Sequence, residues 1–271
     1  MKTEKIIYSY SKLNSYSSCP QKYKIIYLDK TRNDNEGIEA FMGKRVHEVL
    51  EWLYSEEFKN SFVSFDAIMR KYNQLWNEKW HDNIFIARFK FDKIMYNRKT
   101  LYDIGVDCLG NYYRNFSING HFKQNVHDIE LGFQCKLGNN IFRGYIDRID
   151  IDEKGTLDII DYKTGKRSKT FYNAKNDMQL AIYYLAVREI FPEHHRIRLN
   201  FYNLRENKKD KMVIQVEYHD RKLEKIKEKI MGKVYDIKNE EEFLPKESLL
   251  CEWCYFWNEC EVKSTPNPAI K

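Results

Sequence analysis

The sequence predicts an α/β fold in which helices flank a mixed central sheet, with a mostly helical insertion. Apolar residues recur at every second position in three successive segments between 129 and 163, which is the period of half-buried strands. They recur at helical spacing in 40–58. After residue 163 helical and strand patterns alternate, as is typical of proteins that pack helices on a sheet.

The first part of the chain is predicted to be helical. Ser11 or Asn14 can cap a helix in 9–30, because a short polar side chain accepts hydrogen bonds from the first turn. Residues 62–118 are rich in Lys, Asn, Tyr and Trp and have helical spacing in places, so we expect a mostly helical insertion there. The helix in 40–58 is predicted by one apolar stripe, formed by Met42, Val46, Val49, Leu50 and Leu53.

The second part is predicted to form the sheet. Strands at 129–135, 142–151 and 156–163 are joined by turns at 137–140 and 152–155, whose Gly, Asn and Asp residues suit hairpins. We then expect a helix, two strands and a charged helix, at 175–190, 197–203, 211–218 and 220–233.

Composition indicates one domain over residues 1–271. Hydrophobic residues (42%, with 15% aromatics) suffice for a core, and 32% charged residues give a solvated surface, which excludes a fully disordered chain. The net charge of +6 is compatible with a polyanionic partner but does not require one. We expect a cytoplasmic protein without a membrane partner, because there is no long apolar run and no signal peptide pattern.

Two carboxylates and a lysine are predicted to meet at the ends of adjacent strands. Asp161 and Lys163 alternate with Tyr162, so they project from one face of their strand, and Asp147 lies near the end of the preceding strand. Such oxygen ligands suit Mg²⁺ or Mn²⁺. A surface salt bridge is the alternative interpretation of Asp161 and Lys163.

Two helical segments carry further polar candidates. His47 lies one helical turn after Gly43, on the same face. Gln179 and Tyr183 share a face of a helix that is apolar nearly all round, so a buried Gln179 needs a hydrogen-bond partner. The alternatives are that His47 is an ordinary polar edge residue and that Gln179 caps a loop carbonyl.

Cysteines near both ends suggest a metal centre. Cys251, Cys254 and Cys260 have the spacing C-x2-C-x5-C, and three thiols within ten residues indicate a metal or a cluster. Cys19 is the best fourth donor. Four cysteines suit either an iron–sulfur cluster or tetrahedral Zn²⁺. Cys108 and Cys135 lie outside this pattern, and we expect them to be core residues.

Together these motifs resemble the PD-(D/E)XK nuclease superfamily, specifically its RecB-like branch. Asp147, Asp161 and Lys163 match the two acids and the lysine of the family pattern. The second acid is Asp where many relatives have Glu, and the family accepts both. The resemblance implies a restriction-endonuclease-like core and an Mg²⁺- or Mn²⁺-dependent deoxyribonuclease, an exonuclease acting on DNA ends or single-stranded DNA.

The resemblance also implies roles for the other candidates. His47 matches the branch's Gly-x-x-x-His helix, and Gln179 and Tyr183 match its Gln-x-x-x-Tyr motif. The metal ligands would be His47, Asp147, Asp161 and the backbone carbonyl of Tyr162. Lys163 would position and help to activate the attacking water, while Gln179 and Tyr183 would arrange the site.

The cysteines resemble the iron–sulfur clasp of Cas4-like, AddB-like and Dna2-like nucleases. This implies that Cys19 and the cysteines of 251–260 bind a [4Fe–4S] cluster that joins the two ends of the domain. Zinc remains the alternative.

Basic residues near the predicted site suggest contacts with a DNA backbone. The candidates are Arg143, Arg148, Lys166 and Arg167. The implied partners are DNA and a helicase or integrase protein. The alternative function is a non-catalytic DNA-binding or assembly module of a repair, recombination or CRISPR-adaptation complex.

Overall fold

The computed structural model describes residues 6–31, 34–55, 61–87, 97–122 and 125–263. Its central feature is a mixed six-stranded sheet. The strands are β1 (Ile7–Tyr8), β2 (Glu36–Gly37), β3 (Ile84–Phe85), β4 (Val126–Leu137), β5 (Asn140–Ile151), β6 (Leu157–Lys163), β7 (Ile197–Asn203) and β8 (Val213–Val216), of which β2 and β3 form a separate two-stranded sheet.

Helices cover both faces of this sheet. They include a π-helical turn at Lys24–Leu28 and a 3₁₀ helix at Leu249–Trp253. The α-helices are α1 (Tyr10–Ser18), α2 (Pro20–Tyr23), α3 (Ile38–Leu53), α4 (Phe65–Lys79), α5 (Arg98–Phe116), α6 (Phe171–Lys175), α7 (Met178–Ile190), α8 (Lys209–Met212) and α9 (Asp220–Asn239).

The strand β5 organises the sheet. It pairs antiparallel with β4 and β6, and its first residues pair parallel with β1. β6 pairs parallel with β7, which pairs antiparallel with β8. The parallel pair needs a crossover, and α6 and α7 supply it. The predicted three-strand meander and the two later strands are therefore present, within a mixed α/β fold.

Two apolar cores lie on opposite faces of β6, which is buried on both. Ile159 belongs to the first core, which lies under α1, α7 and α9. Ile160 and Tyr162 belong to the second core, which lies under α3, α4 and α5. This two-sided burial is the reason for the nearly continuous apolar run of the strand. Within the predicted insertion at 62–118, α4 and α5 pack on α3, and residues 88–96 lie outside the described ones.

Some predicted boundaries shift for local reasons. The helix predicted at 175–190 begins at Met178, because the Asp177 side chain caps it by accepting from the backbone N–H groups of Gln179 and Leu180. The strand predicted at 211–218 is shortened to β8, because α8 occupies its first residues.

Arg148 is buried, so the predicted contact between this residue and the DNA backbone is wrong. Its side chain is 5% exposed. Its guanidinium donates two hydrogen bonds of 2.5 Å to Asp150 and one of 2.9 Å to the hydroxyl of Tyr112, and it lies 3.9 Å from the ring centroid of Tyr54. This bidentate pair inside the second core is structural.

Replacing Arg148 with leucine is expected to lower the free energy of unfolding by about 3–5 kcal/mol, because the Asp150 carboxylate is left buried without its partner. The double variant Arg148→Leu/Asp150→Leu should recover most of this loss. Urea unfolding of the three proteins checks both expectations. Equal stabilities of the single variant and the wild type would contradict the pair's assignment.

Candidate active site

His47 lies on α3 at the point where this helix approaches the end of β6. A Cβ atom at Gly43 would lie 2.9 Å from Oγ1 of Thr164, so glycine permits the close approach. His47 Nε2 lies 3.1 Å from the carbonyl oxygen of Tyr162, and Nδ1 lies 3.5 Å from Oδ2 of Asp147. The helix thus brings the imidazole into contact with both neighbouring strands.

Asp147 lies at an irregularity of β5. Ile146 and Ile149 both face the first core, so the alternation of side chains changes phase between them. Asp147 Oδ2 accepts a 2.7 Å hydrogen bond from the backbone N–H of Tyr162. The carboxylate is thereby fixed between β5, β6 and the imidazole of His47.

Asp161 and Lys163 form a hydrogen-bonded ring with two residues of α7. Lys163 Nζ lies 2.5 Å from Oδ2 of Asp161 and donates a 2.9 Å hydrogen bond to Oε1 of Gln179. Gln179 Nε2 donates to the hydroxyl of Tyr183 at 2.8 Å, and that hydroxyl donates to Oδ1 of Asp161 at 3.5 Å. The partner that Gln179 needed is therefore the lysine, and the ring fixes the ammonium beside the Asp161 carboxylate, whose side chain is 3% exposed.

Burial and neighbouring charges shift the pKa values of His47, Asp161 and Lys163. Burial lowers the pKa of His47, but the carboxylates of Asp147 and Asp161 outweigh it and raise this pKa to about 8. Burial, with help from Asp147, raises the pKa of Asp161 to about 6. Burial opposes the charge of Lys163, but Asp161 raises the pKa of the ammonium, so the lysine is protonated at neutral pH.

Glu130 is a site residue that the sequence reasoning missed. His47, Glu130 and Asp147 each offer one atom that could bind a metal ion, and these three atoms lie within 4.8 Å of one another. Glu130 has a left-handed backbone (φ 47°), which is rare for a side chain of this kind and is associated with functional sites. Burial and the charge of Asp147 raise its pKa to about 7. Leu137 and Asn140 pair at the turn between β4 and β5. Counting back along both strands from this pair places residue 130 opposite residue 147. The register of the predicted hairpin could therefore have identified Glu130 as a neighbour of Asp147.

The donor set suits a small divalent cation. It combines carboxylate oxygens, one imidazole nitrogen and the carbonyl of Tyr162, and carboxylate and carbonyl oxygens are the ligands that Mg²⁺ and Mn²⁺ prefer. Metal binding in proteins also needs orienting partners around the ligands, and the Tyr162 N–H is one for Asp147. The residues present therefore fit such an ion.

The site opens into a cleft of about 610 Å³ between α3 and the β4–β5 hairpin. Of the predicted DNA-contacting residues, Arg143, Lys166 and Arg167 are exposed. The lining residues are Glu39, Ala40, Gly43, Lys44, His47, Glu48, Glu51, Glu130, Tyr145, Asp147 and Thr164.

A second cavity, of about 60 Å³, is lined by all four predicted cysteine ligands. Cys19 follows α1 directly, and the other three belong to the 3₁₀ helix and the segment after it. Backbone N–H groups of Lys246 and Ser248 donate to the sulfur atoms of Cys19 and Cys251, at 3.4 and 3.5 Å. Cys108 and Cys135 are buried elsewhere, in the two cores, as predicted.

The fold and the cleft together have the features of metal-dependent nucleases. A sequence model of the PD-(D/E)XK nuclease superfamily matches residues 7–261. The chain therefore belongs to this superfamily. The predicted superfamily and its restriction-endonuclease-like core are confirmed, and the iron–sulfur clasp stays a prediction.

Curated relatives come from a larger protein. A subunit of the ATP-dependent helicase/deoxyribonuclease of Streptococcus pyogenes serotype M49 (strain NZ131) is 29% identical over 174 residues, which are 62% of this chain and 15% of that protein. The corresponding protein of serotype M1 matches with the same identity and coverage. The chain thus spans a small part of the length of these relatives.

A solved structure supports the fold. A protein of Eubacterium rectale, provisionally described as an exonuclease, superimposes with a TM-score of 0.50 at 13% identity, over 96% of this chain and 90% of that one.

None of the helices in the described part of the chain combines the length and apolar character that crossing a membrane requires.

Proposed function

We propose that this protein is an Mg²⁺- or Mn²⁺-dependent deoxyribonuclease that hydrolyses phosphodiester bonds at DNA ends or in single-stranded DNA. The observation that carries the proposal is the neighbourhood of four residues that are spread over more than a hundred positions of the chain. His47 and Asp147 line the cleft and lie close to each other. The ion pair of Asp161 and Lys163 flanks Tyr162, whose carbonyl contacts His47, and the charges of Asp147 and His47 act on Asp161. Membership of a nuclease superfamily supports it.

The ligands of the ion are assigned to His47, Asp147, Asp161 and the carbonyl oxygen of Tyr162, with Glu130 at the edge of the set. When bound, a divalent cation supplies positive charge that offsets the charge developing on the phosphate. The protonated Lys163, fixed by Asp161 and Gln179, orients the attacking water and stabilises the same charge. Tyr183 and Gln179 act through this lysine as positioning residues.

The acidity of the cleft supports a role for cations. Glu130 and Asp147 lie together, and Glu39, Glu48 and Glu51 line the opposite wall. Such a wall repels a phosphate backbone unless cations intervene. The exposed Arg143, Lys166 and Arg167 are the proposed contacts to the DNA on either side.

Metal affinity should rise with pH between about 6 and 8. The ligands must lose their protons to bind an ion, and the pKa values of Asp161 and His47 are raised to about 6 and about 8. Below the pKa of His47 the apparent affinity should increase roughly tenfold per pH unit, and it should level off above it.

Calorimetric titration with Mn²⁺ across this pH range checks the expectation. The variant His47→Asn should bind more weakly and with a flatter pH dependence. An affinity of the wild type that is constant over the range would contradict the assignment of His47 as a ligand.

We further propose that Cys19, Cys251, Cys254 and Cys260 hold a [4Fe–4S] cluster. The four cysteines line one cavity, but within the described part of the chain no three of their sulfur atoms lie within 4.8 Å of one another. Four thiolates about 2.3 Å from a zinc ion would be closer together than that, so the spacing supports the larger cluster. The backbone hydrogen bonds to two of the sulfur atoms are of the kind that stabilise cluster thiolates. Zinc is the alternative occupant.

A second candidate function is a non-catalytic DNA-binding module that guides a strand for a helicase or integrase partner. The similarity to a short part of a helicase/deoxyribonuclease protein supports a helicase partner. The intact set of Asp147, Asp161 and Lys163 favours the enzyme.

Digestion of end-labelled single-stranded and duplex DNA, with Mn²⁺ and with a chelator, separates the two functions. The enzyme should release labelled products only with the metal, and label at each end in turn reveals the polarity. Binding of DNA without cleavage at any metal concentration would favour the non-catalytic module.

A further inference from the structure

An exposed aromatic ring lies beside the proposed metal ligands. Tyr145 is 67% exposed and lines the same cleft as His47 and Asp147. A single exposed tyrosine needs no explanation by itself. Its neighbours across the hairpin and along its own strand make this one different.

The ring of Tyr145 lies next to Gly132 on the neighbouring strand. Its pairing partner on β4 is Gly132, and a Cβ atom at Gly132 would lie 3.2 Å from Cε1 of the tyrosine. A side chain at position 132 would therefore crowd the ring. One side of the ring packs on β4, and the remaining surface is open to the cleft.

Tyr145 stands in line with a basic and an acidic residue. Arg143, Tyr145 and Asp147 are alternate residues of β5 before its change of phase, and the first two are exposed. Alternate residues of a strand are about 6.6–6.8 Å apart, which is comparable to the separation of successive phosphates in an extended single strand.

This line matches the repeating chemistry of a single strand. Arg143 and Asp147 are four residues apart, about 13–14 Å along the strand. Phosphates at these two positions would therefore be two steps apart, and the bases between them would lie beside Tyr145. A base within a duplex has both faces covered by its neighbours and must leave the stack to reach a protein ring. An aromatic platform of this kind binds any unpaired base, because every base has a π-face.

We propose that Tyr145 is a stacking platform for the unpaired base next to the reacting phosphate, which makes single-stranded or frayed DNA the substrate of this cleft. The inference rests on the proposed nuclease function and deepens it by naming the residue that selects an unpaired base. Tyr145 contacts the base and takes no part in the chemical step.

Binding of a fluorescein-labelled single-stranded oligonucleotide, measured by anisotropy with Ca²⁺ in place of Mn²⁺, tests the platform without requiring cleavage. Tyr145→Ala should weaken binding roughly 5- to 100-fold, and Tyr145→Phe should bind like the wild type. The matched control is Tyr235→Ala on α9, where the wild-type side chain is 68% exposed and lies outside the cleft. This control should bind normally.

Cleavage of oligonucleotides that carry one abasic nucleotide at successive positions locates the stacked base. The wild type should cleave more slowly when the abasic nucleotide is next to the scissile bond, and Tyr145→Ala should show no such position dependence. Equal binding by Tyr145→Ala and the wild type, or equal losses in Tyr145→Ala and Tyr235→Ala, would overturn the proposal. A wild type that binds single strands but cleaves none would instead contradict the nuclease function.

Discussion

Replacing Asp147 with asparagine is expected to lower the rate of DNA cleavage by at least about 1,000-fold, because charge stabilisation at the reacting phosphate is the largest contribution to such catalysis. Asp147 is the common neighbour in the cleft. It contacts His47, accepts from the backbone of Tyr162 and lies opposite Glu130. Asparagine keeps the shape of the side chain and removes its charge, so folding should be preserved. Initial rates on end-labelled single strands with Mn²⁺ measure the effect.

The matched control is Asp236→Asn, which makes the same chemical change at an exposed position of α9. It should cleave at the wild-type rate, and both variants should melt close to the wild type. Cleavage by Asp147→Asn within tenfold of the wild type would remove Asp147 from the proposed ligand set.

Replacing Cys254 with serine is expected to abolish iron binding and to destabilise the domain. The clasp would join Cys19 to the segment after α9 and so close a loop of more than two hundred residues. Closing such a loop stabilises a fold by about 5 kcal/mol in the chain-entropy treatment. For a chain of this size the loss corresponds to a fall of about 10–20 °C in Tm. Iron and zinc analysis of anaerobically purified protein, with thermal melting, measures both effects.

Cys135→Ala is the control for this variant. Cys135 lies in the first core, outside the cavity that the four proposed ligand cysteines line. Burial raises the pKa of its thiol to about 12, so we expect it to be unreactive. This variant should contain as much iron as the wild type. Wild-type protein that contains zinc and no iron would contradict the cluster, and Cys254→Ser protein with its full iron content would contradict the clasp.

The strands that carry the site were predictable because several signals agreed. Alternation fixed Asp161 and Lys163 on one face, and the structure has their charged atoms 2.5 Å apart. The apolar character of α7 predicted that Gln179 needs a partner, and this partner is Lys163. Local periodicity and turn residues decide these features, so the sequence carries them directly.

Arg148 and Glu130 escaped prediction for one shared reason. Simple alternation along β5 does not hold through Asp147, since Ile146 and Ile149 face the same core. The change of phase directs Arg148 into the second core beside Asp150. Glu130, which lies opposite this irregular part of β5 in the hairpin, has a left-handed backbone. Such an irregularity depends on packing from both faces of the sheet, which local patterns do not describe.

The direct test of the central claim is the position of a bound ion. Crystals grown with Mn²⁺ and measured at the manganese absorption edge should show an anomalous peak in the cleft, about 2.0–2.2 Å from carboxylate oxygens of Asp147 and Asp161. His47 and the carbonyl of Tyr162 should complete the contacts. Manganese bound only at other positions of the protein, with this cleft occupied by water, would contradict the account.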